Sequence, residues 1–397
     1  MIPKFNYDYA FTDLLSGIKA LFCPFPDAEP VKKYFDSPHL YFTNHARTGL
    51  RLLLSSLSSE KTGGSLMTGR QLRIGVQVYN CHTVFQAVKK AGHMPVFLDI
   101  KEDFTLNEED LRRKEEQIDA LIVNHTFGVP ANFDRLKKIV KGKPVIEDCA
   151  HSLFSTYRGR PTGCFGDAAV FSFGFGKYPS VGKGGMTLLN NRSLLWGFNR
   201  LYEQLPDPKK IAAFTAPFRS FAYAAAFKPF LYGTLTYPLG KRLDSALDFT
   251  GKYSFNEARG SRAAVSVFLK KFALLLEGKN RRQRGNGRFL FDRLRDRYTC
   301  VVEDESKQFN YYLFPLKHPR RDQLVKYLHR KGIEAGKHFV KSIQWAKAFG
   351  YEDGSCPFAE QTVREVFVVP VHYNLTRKQP EYIVRVLNQF PPEEPVP

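Results

Sequence analysis

The residue best placed to do chemistry is a lysine at the end of a run of small and aromatic residues. In Phe171-Ser172-Phe173-Gly174-Phe175-Gly176-Lys177 the phenylalanines recur at period two. That spacing packs them on one face of a strand and leaves serine and glycine on the other, where something flat could lie. Lys177 follows where the strand gives way to the glycine-rich segment 178–185, which suits close backbone approach. A lysine confined among apolar groups has a lowered pKa and serves as an amine nucleophile. The competing reading is a solvent-facing lysine after a buried strand, since surface lysines vastly outnumber such amines. Asp148 weighs against that alternative. It comes just after the apolar run at Val145-Ile146 and so sits at the carboxyl end of a strand, where open α/β sheets place their ligands. Its own alternative role is to cap the next helix.

The elements that must position these residues alternate along the chain. Short apolar runs at 74–79, 95–98, 120–123, 145–147, 168–173 and 186–189 are separated by helix-like stretches such as 48–57, 83–91 and 107–116. This βα alternation predicts a mainly parallel sheet with helices on both faces. Before it, Phe11, Leu14, Leu15, Ile18, Leu21 and Phe22 have helical spacing and predict an amphipathic arm that docks on the body or on a second subunit. After it come a long helix near 263–276, a strand at 310–316, a helix at 321–330 and a last helix near 381–390. We read these as a smaller α+β domain. The expected division is an arm over 1–35, a large domain over 36–255 and a small domain over 256–397.

Residues 205–253 interrupt the rhythm with an aromatic and alanine-rich run flanked by Lys209, Lys210, Lys241 and Arg242. Pro217, Arg219, Lys228, Pro229 and Pro238 cut it short of the ~18 apolar residues that a spanning helix needs. Such a run either packs on the active site or a dimer partner, or lies in the plane of an anionic membrane surface. The whole chain of 397 residues has 59 Lys+Arg against 39 Asp+Glu, a formal charge of +20 that favours phosphorylated substrates, anionic lipid or polyanions. No zinc-finger, RNP-like or basic-heptad module accompanies the charge, which argues against nucleic acid. The six cysteines form no CxxC pair, so no metal and no disulfide framework is expected, and no signal peptide is expected at the amino terminus. A cytoplasmic enzyme, with or without membrane association, is the resulting expectation.

Several separated segments resemble the DegT/DnrJ/StrS sugar aminotransferases, which bind pyridoxal 5'-phosphate (PLP) and have the type I, aspartate aminotransferase fold. Ile146-Glu147-Asp148-Cys149-Ala150-His151 is similar to that family's acidic strand end, and Gly163 through Lys177 to its segment ending in the Schiff-base lysine. Lys183-Gly184-Gly185 stands where the family has Glu-Gly-Gly. Further matches are 91–99, Asn124-His125-Thr126-Phe127-Gly128, 321–333, His338-Phe339 and Val369-Pro370-Val371, so the resemblance covers roughly residues 36–390.

The resemblance implies that Lys177 carries PLP as a Schiff base and later moves the substrate proton, while Asp148 pairs with the ring nitrogen and keeps it protonated. It further implies His151 beside the ring, Ser172 on the phosphate, and Arg47-Thr48 offering a helix amino terminus to that phosphate. A neutral core histidine is the other reading of His151. The ring-stacking aromatic falls near Tyr79-Asn80-Cys81-His82, with Cys81 or His82 as its replacement, and His338 and Lys183 would meet the substrate. Ala46-Arg47-Thr48-Gly49 departs from the family's Gly/Ser-Gly-Thr start. Glu257-Ala258-Arg259-Gly260-Ser261 departs from the segment whose asparagine reaches the neighbouring subunit's cofactor. The implied reaction moves an amino group, from glutamate, to a nucleotide-linked keto-sugar for surface polysaccharide or glycoconjugate, in a homodimer. Two alternatives stand beside it. One is a PLP-dependent sugar dehydratase, whose relatives replace the lysine with histidine. The other is a regulatory or membrane-associated paralogue without chemistry.

Overall fold

The computed structural model describes residues 1–5, 7–62, 65–68, 70–237, 255–301 and 303–391. Every apolar run named above becomes a strand of one seven-stranded sheet. Its strands are β1 (Leu40–Thr43), β2 (Arg73–Gln77), β3 (Met94–Leu98), β4 (Ala120–Asn124), β5 (Val145–Asp148), β6 (Ala168–Ser172) and β7 (Gly185–Leu189), in spatial order β1-β7-β6-β5-β4-β2-β3. Pairing is parallel from β3 through β6, and only β7 runs against its neighbours β6 and β1. Strands buried on both faces read as nearly continuous apolar sequence, which is why period two is weak in 120–123. Ile122 and Ile146 face a core shared with Phe85, while Leu121, Val123 and Val145 face Leu111, Phe133 and Leu136.

Helices cover those two faces. In chain order they are α1 (Phe11–Leu21), α2 (Glu29–Phe35), α3 (Ala46–Leu57), α4 (His82–Lys90), α5 (Glu108–Lys114), α6 (Phe133–Val140) and α7 (Leu195–Glu203). The aromatic run supplies α8 (Lys210–Ala226), which tolerates Pro217 inside it, and then a short helical turn to Tyr237. The remainder of the 205–253 segment, from 238 on, lies outside the described residues. Beyond it are α9 (Arg262–Leu274), α10 (Asn280–Leu294) and a two-stranded antiparallel sheet of β8 (Phe314–Lys317) and β9 (Val366–Val369). α11 (Arg321–Arg330) and α12 (Lys378–Asn388) complete the part used below.

Three expectations need correcting. The strand foreseen at 310–316 begins only at Phe314, because Tyr311 takes a left-handed φ of 49° that no strand accommodates. The last helix starts three residues earlier than foreseen and ends at Asn388. Of the phenylalanines at 171, 173 and 175, only the first two join one aromatic cluster, through Phe35, Tyr34, Phe272 and Phe268, because β6 closes at Ser172 and Phe175 turns away. Phe171 meets Phe35, Phe173 stacks on Phe268 at 3.8 Å, and Phe175 meets Tyr7 and Tyr223.

Candidate active site

Asp148 is the final residue of β5, flanked in register by Val170 of β6 and Asn124 of β4. It is only 5% exposed, and one carboxylate oxygen accepts the Ala150 N–H at 3.1 Å. Burial pushes its pKa up, and that N–H and the Lys177 cation pull part of the shift back. Lys177 stands five residues beyond the strand end, in a loop tightened by Gly176 at φ 74° and by its own N–H donating to the Gly174 carbonyl. Tyr312 clamps this loop by donating its hydroxyl to the Gly176 carbonyl at 2.6 Å, and the Lys177 Nζ lies 5.6 Å from the Tyr312 ring centre. Removal from water lowers the Lys177 pKa, with Cys81 and Asp148 opposing. On its Phe5 and Tyr373 side the free space is only about 20 Å³.

His151 occupies the position beside this pair. Its Nδ1 accepts the Phe127 N–H at 3.3 Å, so when neutral it carries its proton on Nε2. The ring stacks on Tyr312 at 4.5 Å and lies 5.3 Å from His338. Burial holds both histidines well below the ordinary imidazole pKa, with the Lys177 cation adding to it in each case. His338 is thereby brought into the same space, fixed through its carbonyl by the Tyr79 hydroxyl at 2.8 Å. Phe127, Tyr311 and Phe339 each have positive φ (59°, 49° and 52°) and adjoin His151, Tyr312 and His338. Such strain in non-glycine residues concentrates at functional sites.

A second cluster lies at the start of α3. Ser172 pairs with Gly185 across β6 and β7, and a Cβ on Gly185 would fall 2.3 Å from the Ala46 nitrogen. Glycine there is what lets the helix amino terminus press against the sheet beside Ser172. Arg47 and Thr48 thus stand in the first turn of α3. The Thr48 hydroxyl donates to Asn44 at 2.9 Å and its backbone N–H to the His45 carbonyl at 3.1 Å. Arg47 lies over the Phe255 ring. Burial, then the charges of Arg47 and Lys183, pushes His45 down to about 3. Lys183 is itself lowered by burial and then by Arg219 and Arg47.

The structure therefore separates two residues that the sequence groups together as substrate contacts. His338 belongs with Lys177, and Lys183 belongs with Arg47. Of the two candidates for the stacking position, Cys81 is the one that interacts with the Lys177 amine. His82, the first residue of α4, instead packs 5.3 Å from Trp345.

Sequence reasoning missed Tyr312, Phe127 and the segment Lys4-Phe5-Tyr7. Phe5 meets Tyr312 at 6.3 Å, Tyr7 approaches Gly176, and Lys4 pairs with Glu334. A faint signal existed for Tyr312 in the aromatic cluster that precedes a strand. None existed for the arm, whose partners are more than 160 residues away in sequence.

These groups fit PLP. An enclosed amine, a buried carboxylate at a strand end, and a helix amino terminus with cations answer to its aldehyde, its ring nitrogen and its phosphate. Two buried polar atoms in this region, His338 Nε2 and Asn80 Nδ2, have no protein hydrogen-bond partner, as expected of groups that face a ligand.

Solved structures share the whole architecture. A DegT/DnrJ/EryC1/StrS aminotransferase from Brucella abortus superposes with a TM-score of 0.70 over 95% of both chains at 19% identity. A sugar aminotransferase from Micromonospora echinospora gives 0.71 over 98% of this chain and 99% of its own, at 20% identity. Fold and site together define a PLP-dependent aminotransferase of the type I fold. The profile of the DegT/DnrJ/EryC1/StrS aminotransferase family matches residues 29–202 and 262–388, and the chain belongs to that family. Among its relatives are a pleiotropic regulatory protein of Geobacillus stearothermophilus, 24% identical over 77% of this chain and 74% of its own. Another is dTDP-3-amino-3,4,6-trideoxy-alpha-D-glucose transaminase of Micromonospora megalomicea, 23% identical over 76% of this chain and 74% of its own.

Proposed function

We propose that this enzyme transfers an amino group from glutamate to a keto-sugar carried on a nucleotide, for a surface polysaccharide or glycoconjugate. The observation that carries this reading is the convergence of Lys177, Asp148, His151 and His338 in one buried space, with the lysine pKa lowered and the carboxylate at a strand end. Relatives named as aminosugar transaminases support the substrate class.

Bound here, PLP supplies an electron sink for the substrate carbanion. Lys177 would hold the cofactor through its Nζ and, when displaced by the substrate amine, would carry the proton between the substrate carbon and the cofactor carbon. Burial lowers its pKa, which favours the neutral amine that can accept a proton relative to an exposed lysine. Asp148 would pair with the ring nitrogen and keep it protonated, and His151, whose Nδ1 is already engaged by the Phe127 N–H, would lie beside the ring. Ser172, the first turn of α3, Arg47 and Lys183 would hold the phosphate, and His338 would meet the sugar. Its charged neighbours Arg219 and Arg47 support reading Lys183 at the phosphate end rather than at the substrate.

The same reading divides the chain into an arm over 1–35, a large domain over 36–255 and a small domain over 256–397. It makes the enzyme a cytoplasmic homodimer in peripheral contact with an anionic membrane surface, which the charge of +20 supports. Among the described residues no helix is long and apolar enough to cross a membrane. Retention of Lys177 weighs against a dehydratase.

The test is spectroscopic. Purified protein should show a visible cofactor band that glutamate bleaches and a keto-sugar nucleotide restores. A protein without that band, or with one indifferent to glutamate, overturns the proposal and favours the regulatory reading.

A further inference from the structure

We propose that the face shared by α1 and α8 docks on an anionic lipid bilayer. The inference rests on the peripheral membrane contact read above, and it names the surface and the partner. Apart from Met94 and Leu276, every large apolar side chain exposed among the described residues belongs to 11–25 or 211–231. Ile211, Phe22 and Phe230 are each about four-fifths exposed.

The helices explain how one face comes about. Pro217, Ser220 and Ala224 recur at i, i+3, i+7 and are the buried residues of α8. Pro217 abuts Gly17 of α1, and the Ser220 hydroxyl donates to the Val181 carbonyl at 3.3 Å. Ile211, Phe214 and Phe218 recur at the same spacing along a second row, about 120° round the helix from the buried one, and are exposed, the last two with ring centres 5.5 Å apart. On α1, Leu14, Gly17 and Ala20 face inward while Phe11 and Leu15 face out. Phe11 and Phe221 bring the two helices together at 6.1 Å. A helix apolar on both sides needs a second apolar medium, and 17 residues broken by a proline lie along an interface rather than through it.

Charge selects the medium. Between Asp207 and Asp244 the sequence has no acidic residue, while Lys209, Lys210, Arg219 and Lys228 are exposed around α8. The acids nearest α1 are turned inward: Asp8 binds Lys279, and Asp13 binds Lys270 and Lys271. The first outward carboxylates are Asp27 and Glu29, beyond Phe25. A second copy seated on this face would bring the same cations again and, from this segment, no carboxylate to neutralise them. Anionic head groups would neutralise them while the phenylalanines enter the acyl boundary.

Co-sedimentation of the holoenzyme with phosphatidylglycerol–phosphatidylcholine vesicles, beside phosphatidylcholine alone, tests this. The wild type should bind the anionic vesicles, and raised salt should weaken that binding. The double substitution Phe214→Glu/Phe218→Glu should cut the bound-to-free ratio by about tenfold or more. Lys209→Glu/Lys210→Glu should remove the preference for anionic lipid, and both variants should keep their cofactor absorbance. A wild type that binds neither vesicle overturns both the inference and the peripheral-contact reading. Binding that survives the phenylalanine substitutions overturns the inference alone, as does a variant that binds vesicles normally but has become monomeric by sedimentation. None of these outcomes depends on which sugar the enzyme aminates.

Discussion

Lys177 and Asp148 act on each other as well as on a ligand. The carboxylate raises the lysine pKa that burial lowers. Capture of PLP by apoenzyme requires the neutral amine, so its rate should climb with pH and level off below the ordinary lysine value of 10.5. In Asp148→Asn that midpoint should move lower still, because the opposing charge is gone. Stopped-flow absorbance checks both, and a midpoint unmoved by Asp148→Asn would separate the two residues. Lys177→Ala should lower kcat by at least about 10²-fold, the lower bound for loss of a positioned proton carrier, and abolish the covalent cofactor band. Turnover and absorbance of the variant decide it. The sequence made both residues legible because each terminates an unambiguous apolar run. Tyr312 was not legible in the same way: its role comes from a hydroxyl reaching Gly176, 136 residues away in sequence.

At the level of elements, the join between β7 and the start of α3 sets where a phosphate could sit. Gly185→Ala would drive a Cβ into the Ala46 backbone, which cannot yield as a side-chain end could. We expect a loss of about 1–3 kcal/mol in stability, read by thermal melting, and weaker PLP retention on dialysis. Asn310 ties the chain just before β8 to the loop after Asp148. Its amide donates to the carbonyls of His151 and Leu153 at 2.8 and 2.9 Å, and its oxygen accepts the Tyr312 N–H. Asn310→Ala should leave buried carbonyls unpaired and cost about 1–3 kcal/mol, with a visible change in the cofactor spectrum. Strands and helices were readable from periodicity, as β5 and β6 show. The Phe171–Lys177 run failed as a continued strand because β6 closes at Ser172 and the chain then turns through Gly176 at a φ of 74°, and periodicity cannot register where pairing stops. Likewise the spacing of α1 showed an apolar helix but not that Phe11 and Leu15 would face outward.

For the whole molecule, buried neutral histidines make stability depend on acid. His45 and His372 have folded values of about 3 and about 4 against an ordinary 6.5, burial being the main cause in each. A base depressed by folding contributes nothing adverse above pH 6.5. Below it the unfolded chain binds the proton first, so stability should fall as pH drops from 6.5 toward 4 and then toward 3. Urea unfolding at stepped pH measures this, and a flat midpoint between pH 7 and 4.5 would contradict it.

The segment before α1 has a consequence in time. Ile2 bridges to Ile333, Glu334 donates its N–H to the Ile2 carbonyl, and His372 bonds the Pro3 carbonyl. Ile2 and Pro3 thus find their partners only once residues 333–372 are available. Contacts of such sequence separation form late. The cover over Lys177 therefore closes late in folding, which leaves the site open to its cofactor until those distant partners are in place.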